Sequence, residues 1–167
     1  MKRLFLAFAA SGILFAGPVR ADEADTWDTY FNMATFGAGG GADAGGWFNF
    51  ECADEDSGFS TAGQAHFTLR MGEEFSGEQP TPEKAITFFV DDGLSFVLPM
   101  SLRAESAVAL YYDYSAETLE EMLDFIAALR RGSRVTVWSG QQQLASVGLD
   151  GSYAALEYVE ACVAGED

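Results

Sequence analysis

Alternation at every second residue dominates the middle of the chain. In AHFTLRM (65–71), Ala65, Phe67, Leu69 and Met71 fall on one side and His66, Thr68 and Arg70 on the other, which predicts a strand with one dry and one wet face. WFNFEC (47–52), AITFFV (85–90), LSFVLP (94–99) and AVALYYD (107–113) are rich in aromatic and β-branched residues and bounded by Gly, Pro, Asp or Ser, as strands are. Asp91-Asp92-Gly93 predicts a hairpin turn between two of them. RVTVWS (134–139), a GQQ turn and QLASVGL (143–149) predict a second hairpin.

The period changes to that of a helix over SAETLEEMLDFIAALRRG (115–132). Leu119, Met122, Leu123, Ile126 and Leu129 form one apolar stripe, which must pack on a sheet. Ser115 is the expected N-cap, Glu117, Glu120 and Glu121 sit near the positive end of the helix dipole, Arg130 and Arg131 near the negative end, and Gly132 closes the helix. Ser152 is expected to cap a last helix running to about Val163, with Leu156, Val159 and Val163 facing one way. Strands, a helix, two strands and a helix, without repeated βα alternation, predict an α+β fold. It is mainly an antiparallel sheet or sandwich, with both helices in the C-terminal half.

The N-terminal part breaks this regularity. Lys2 and Arg3 precede an apolar run from Leu4 to Ala16, followed by Pro18 and Val19-Arg20-Ala21. Such a segment predicts a secretory signal peptide, residues 1–21, cleaved after Ala21. The run is shorter than the roughly 20 residues a membrane span needs, so the remainder is expected to be periplasmic or secreted, in a bacterium, without membrane insertion. Residues 22–46 form an acidic and Gly-rich segment. Trp27, Tyr30 and Phe31 predict one short edge strand, and GAGGGADAGG (37–46) a flexible loop, because Gly loses most backbone entropy on ordering. Its Gly37-x-Gly39-x-x-Ala42 spacing imitates a dinucleotide fingerprint but lacks the flanking strand and helix, and no cofactor is expected. Residues 47–167 are expected to make a single α+β domain.

Charge restricts the partners. The chain carries 9 Lys and Arg against 26 Asp and Glu, a formal net charge of −17. Removing Lys2, Arg3 and Arg20 with the leader, which has no acid, takes −17 to −20. Such a surface repels phosphate backbones, so nucleic acid is not an expected partner. Cys52 and Cys162 are the two cysteines. In an oxidising compartment they are expected to form one disulfide that ties the last helix to an early strand; neither lies in a CxxC or beside a histidine, as a metal pair would.

Candidate chemistry is sparse. His66 is the one histidine, on a wet strand face, and no GxSxG elbow accompanies it. A hydrolase built on His66 or a carboxylate set is therefore the alternative reading and a surface histidine the simpler one. Glu73-Glu74, Asp91-Asp92 and Glu120-Glu121 are adjacent pairs, unlike two carboxylates converging on one cleft. Asp54-Glu55-Asp56-Ser57-Gly58 offers oxygen ligands for a weak calcium site through Asp54 and Asp56 but departs from EF-hand spacing. Arg130, Arg131 and Arg134 cluster at a helix end as a possible anion or partner patch, or as complements of the dipole and neighbouring acids. Phe88-Phe89 and Tyr111-Tyr112 place one ring on each face of their strands, so one of each pair can be exposed for a protein or sugar contact.

The segment from Leu129 to Cys162, with Leu129, Gly132, Leu149, Gly151, Ser152, Ala155, Leu156 and Cys162 as matching positions, resembles the C-terminal part of the invasion-associated locus B family and of periplasmic accessory proteins of type VI secretion. Upstream, Asp91-Asp92-Gly93 and Cys52 are similar to positions in those families. The resemblance carries no catalytic residue. It implies a β-rich fold with a Cys-tethered last helix, and an envelope accessory or host-interaction role. The expectation is thus an exported, non-enzymatic binding or accessory protein of the bacterial cell envelope that contacts an envelope or secreted protein partner.

Overall fold

The computed structural model describes residues 26–32, 35–53, 65–72, 75, 85–91, 93–102, 109–113 and 117–164. The leader, residues 54–58, Glu73-Glu74 and Ser115 lie outside them. Among the described residues, two antiparallel sheets and two helices make up the fold. The larger sheet has six strands in the order β1-β2-β3-β4-β8-β7, formed by β1 (Thr26–Asn32), β2 (Thr35–Ala42), β3 (Gly46–Ala53), β4 (Ala65–Met71), β7 (Ser101–Leu102) and β8 (Ala109–Asp113). The smaller has four, β10-β9-β5-β6, formed by β5 (Ala85–Val90), β6 (Leu94–Pro99), β9 (Arg134–Ser139) and β10 (Gln142–Gly148). The helices are α1 (Leu119–Arg131) and α2 (Ser152–Ala164). The expected α+β class, antiparallel pairing and single disulfide are all present.

The alternating residues do what their spacing requires. Phe67, Leu69 and Met71 of β4 are buried while Arg70 is exposed. The dry faces of the two sheets meet through aromatic rings: Phe88 of β5 lies 6.0 Å from Phe48 of β3 and 5.7 Å from Phe67 of β4. Phe125 of α1 stands at the hub, 5.0 Å from Phe88, 5.2 Å from Phe96, 5.6 Å from Phe67 and 6.3 Å from Phe50. These separations suit edge and tilted ring pairs, each adding about 0.5–1.5 kcal/mol to simple area burial. Phe125 sits between the expected stripe positions and carries the stripe's largest side chain.

The expected flexible loop at 37–46 is instead strand β2 and a tight turn. Residues 35–42 pair with β1 on one side and β3 on the other, with Gly37 opposite Tyr30 and Glu51, and Gly40 opposite Trp27 and Phe48. The missing side chains are the reason it can order. A Cβ on Gly40 would stand 2.3 Å from Cγ of Trp27, and one on Gly37 would stand 2.2 Å from Cζ of Tyr30. The rings of the edge strand therefore lie across the glycine backbone, and their burial offsets the entropy that glycine loses. Trp27 is buried on the inner face, where its indole N–H donates to the Gly148 carbonyl at 2.9 Å, joining β1 to the end of β10. The expected edge strand at Trp27, Tyr30 and Phe31 is β1.

One capping expectation needs revision. Ser152 begins α2 as expected, but its buried hydroxyl donates to the Leu129 carbonyl of α1 at 2.8 Å, so it links the helices rather than capping its own. The helix there is so closely packed on α1 that the hydroxyl satisfies a neighbour's carbonyl instead. The Asp91 turn forms where expected, with Val90 opposite Leu94, and Asp91 adopts a left-handed conformation with φ 49°.

Candidate contact surface

Three places bear on function: an exposed corner between β1, β2 and α2, the wet face of the larger sheet, and the arginines around the end of α1.

The corner is built by the disulfide. Cys52 of β3 bonds Cys162 of α2, with the two Cα atoms 6.3 Å apart. Cys52 is opposite Phe36 in the β2–β3 register, and Tyr158 precedes Cys162 by one helical turn, hence on the same helix face. The bond thereby sets Tyr158 against Phe36, ring centroids 4.6 Å apart, and Phe36 lies tilted against Phe31 of β1, also at 4.6 Å. This three-ring ladder is only partly covered: Phe31 is 60% and Tyr158 48% exposed. The sequence places Phe31 on an edge strand but does not show the ladder, because the glycines of β2 carry no strand period and nothing local links Phe36 to Tyr158. The one available signal was the recurrence of aromatic residues, Tyr30 and Phe31 before and Phe36 after the short stretch Asn32-Met33-Ala34-Thr35.

On the wet face, the Tyr30 hydroxyl reaches across the glycine strand and donates to Asn49 Oδ1 and Glu51 Oε1, each at 2.8 Å; the Asn49 amide also donates to Glu51 at 3.2 Å. Burial, and then the neighbouring Glu51 carboxylate, raise the Tyr30 phenol above the ordinary tyrosine range, since both disfavour a second negative charge. His66 is on this face, as expected, opposite Glu51 of β3 and Asp113 of β8. Both register partners are acidic residues. Arg70 forms an ion pair with Asp43.

The three arginines are separated in role. Arg130, 14% exposed, ion-pairs with Glu160, donates to the Tyr153 carbonyl at 3.0 Å and lies 4.5 Å from the Tyr153 ring centroid. It also approaches Glu157 at 3.7 Å. Arg131 donates to Ala127 of its own helix, and Arg134 to the Ser146 hydroxyl at 3.1 Å. Nearby, Asp91 accepts from the Ser133 hydroxyl at 2.7 Å and from the Ser133 and Arg134 amides at 3.0 Å. Its carboxyl is held below the usual range, first by the Ser133 hydroxyl and then by the Ser133 amide. The protein's own carboxylates thus occupy several donors of this corner.

A shallow cleft of about 240 Å³ lies between Ala127, Arg130, Arg131, Tyr153 and Glu160, and one of about 210 Å³ beside Ala44, Phe75 and Leu144. Both fall below the ~300 Å³ at which small-ligand pockets usually begin. Among the described residues no group of three or more His, Cys, Asp or Glu could hold a metal ion; Asp54 and Asp56 lie outside those residues. Also among them, no helix is long and apolar enough to cross a membrane.

No protein-family model matches the chain, and no curated protein does either. A solved structure shares its fold. It is the crystal structure of invasion associated protein B from Bartonella henselae, with a TM-score of 0.51 and 14% identity over 83% of this chain and 94% of that one. At that identity the likeness is one of fold. It runs through most of both molecules, well beyond the C-terminal segment that carries the sequence resemblance.

Proposed function

We propose that this chain is an exported, non-enzymatic accessory or binding protein of the bacterial cell envelope, and that it contacts an envelope or secreted protein partner through the ladder of Phe31, Phe36 and Tyr158. The exposed ladder is the observation that carries this reading, because aromatic rings left partly in water beside a rigid element are the usual anchors of protein interfaces. The β1–β2 ladder holds Phe31 beside Phe36, and the disulfide ties α2, which carries Tyr158, to the neighbouring strand β3, so the surface is preorganised. The tie suits an oxidising compartment, consistent with removal of residues 1–21 and a periplasmic or secreted location. The shared fold with a protein named for invasion supports the same class of role. Arg131, exposed at the end of α1, is the member of the Arg130, Arg131 and Arg134 group best placed to meet an acidic group of a partner.

The test is crosslinking and affinity capture from periplasm and culture fluid, comparing the wild type with a Phe31→Ser, Tyr158→Ser double variant. A partner recovered by the wild type and lost by the variant, at an unchanged unfolding midpoint, is the expected result. Recovery of the same partners by both proteins, or of none by abundant wild type, refutes the reading.

A further inference from the structure

Four strands end the two sheets, and three of their edges are closed. On β1 the Thr29 amide donates to the Asp28 carboxylate at 2.8 Å and the Trp27 amide to the Asp150 carbonyl at 3.3 Å. On β10 the Ser146 amide donates to the Gly45 carbonyl at 2.8 Å. β7 is only two residues long. Bonded amides, charge and shortness are the devices by which sheets avoid pairing with other chains. β6 has almost none of them. It is six residues long, LSFVLP, without a charged side chain, and among the described residues it pairs with β5 alone. Its proline stands at the far end and leaves the centre able to pair. Leu94 is 54% and Val97 52% exposed, and Phe89 beside them on β5 is exposed as well.

We infer that the β6 edge is an interface for a second copy of this chain, joined as an antiparallel β6–β6 pair that makes one eight-stranded sheet. Charge decides the occupant. Two molecules that each carry −17, or −20 without residues 1–21, repel wherever their acidic surfaces approach, and a cationic partner gains nothing from an uncharged strand. The β6 edge is where two such molecules can meet without opposing acids. A two-fold axis perpendicular to the sheet pairs the strand with its copy in antiparallel fashion and leaves both sheets facing the same way. That arrangement puts the two Asp91 turns at opposite ends of the joint, at least about 20 Å apart for six residues at ~3.4 Å each. The Debye length at physiological salt is about 8 Å, so those acids are screened from one another. Keeping both buried faces on the same side requires like-facing residues to pair, which places the axis at Phe96 or Val97. This interface is separate from the aromatic ladder, and each can fail without the other.

Sedimentation equilibrium of the oxidised protein, over a wide concentration range and at low and high sodium chloride, tests the inference. A monomer–dimer equilibrium that tightens severalfold as salt screens the net charge is expected. Val97→Lys places like charges at or beside the axis and should weaken dimerisation at least about tenfold. Ser95→Lys, also on the exposed face of β6, should do the same and serves if Val97→Lys lowers the unfolding midpoint. Amide exchange in β6 should slow with protein concentration while that in β1 does not. A monomer under all conditions, a dimer loosened by salt, or a dimer that survives both lysine variants but is lost with Phe31→Ser, Tyr158→Ser overturns the inference.

Discussion

Replacing Gly40 by alanine separates a packed glycine strand from a loop by the sign of its effect. The new Cβ would stand 2.3–2.4 Å from Cγ, Cδ1 and Cδ2 of Trp27, far inside contact distance, so the indole must leave or β2 must part from β1. If the indole leaves, the core loses a buried ring packed 6.2 Å from Phe48 and 6.4 Å from Phe50, together with its bond to the Gly148 carbonyl. Loss of a buried tryptophan costs about 3–5 kcal/mol and an orphaned buried carbonyl about 1–3 kcal/mol. Partial relaxation makes the lower end, about 3 kcal/mol, the expected destabilisation. In a flexible loop the same change would stabilise by about 0.4–1 kcal/mol, by narrowing the unfolded ensemble. Urea unfolding followed by far-ultraviolet dichroism measures the difference, and tryptophan emission reports whether Trp27 has become wet. Gly93→Ala is the companion, since a Cβ there meets no atom within 4 Å, and it should be close to neutral. A Gly40→Ala protein at least as stable as the wild type would refute the account of β2.

Replacing both Cys52 and Cys162 by alanine opens a loop of 110 residues, for which chain entropy assigns about 5 kcal/mol; denaturant unfolding should show a loss of several kcal/mol, and a loss below about 1 kcal/mol would mean that α2 is held by packing alone. Arg130→Ala removes the Glu160 ion pair, the bond to Tyr153 and the ring contact at once, with an expected cost of about 1–3 kcal/mol; its effect should be less than additive with Glu160→Gln, and full additivity would contradict the coupling. The depressed Asp91 carboxyl binds its proton less readily in the folded state, so its stabilisation is present above the unfolded value of about 3.9 and is lost as pH falls through the folded one. Asp91→Asn should therefore be less stable than the wild type at neutral pH, with the gap closing below about pH 4; an unchanged gap in acid, read from urea midpoints, would show that the carboxylate's charge is not what holds Ser133.

Strand-by-strand reading succeeded wherever a local period was imposed by one buried face. β4 shows this most plainly, with Phe67 and Leu69 buried and Arg70 exposed, and the stripe of α1 follows the same logic at helical spacing. It failed at β2, because glycine has no side chain to show a period. What orders Gly37 and Gly40 is a ring delivered by another strand, and no window of local sequence contains both. Ser152 was misread for a related reason: its position at a helix start invited a capping role, whereas the acceptor it found, Leu129, lies 23 residues away.

Of the candidate site residues, His66 and the arginines were identifiable by type and approximately by face, but their partners were not. Glu51 and Asp113 reach the His66 row only through sheet register, and Glu160 reaches Arg130 only through packing of α2 on α1. The chain's own sequence sufficed for its class, its antiparallel pairing, its acidic composition and the pair of cysteines, since these follow from composition, periodicity and residue count. The three-ring ladder, the closure of three sheet edges and the single strand partner that β6 has among the described residues belong to the tertiary structure. Each depends on which distant segments the crossovers and the Cys52–Cys162 bond bring side by side, and contacts of that kind have no local period from which to read them.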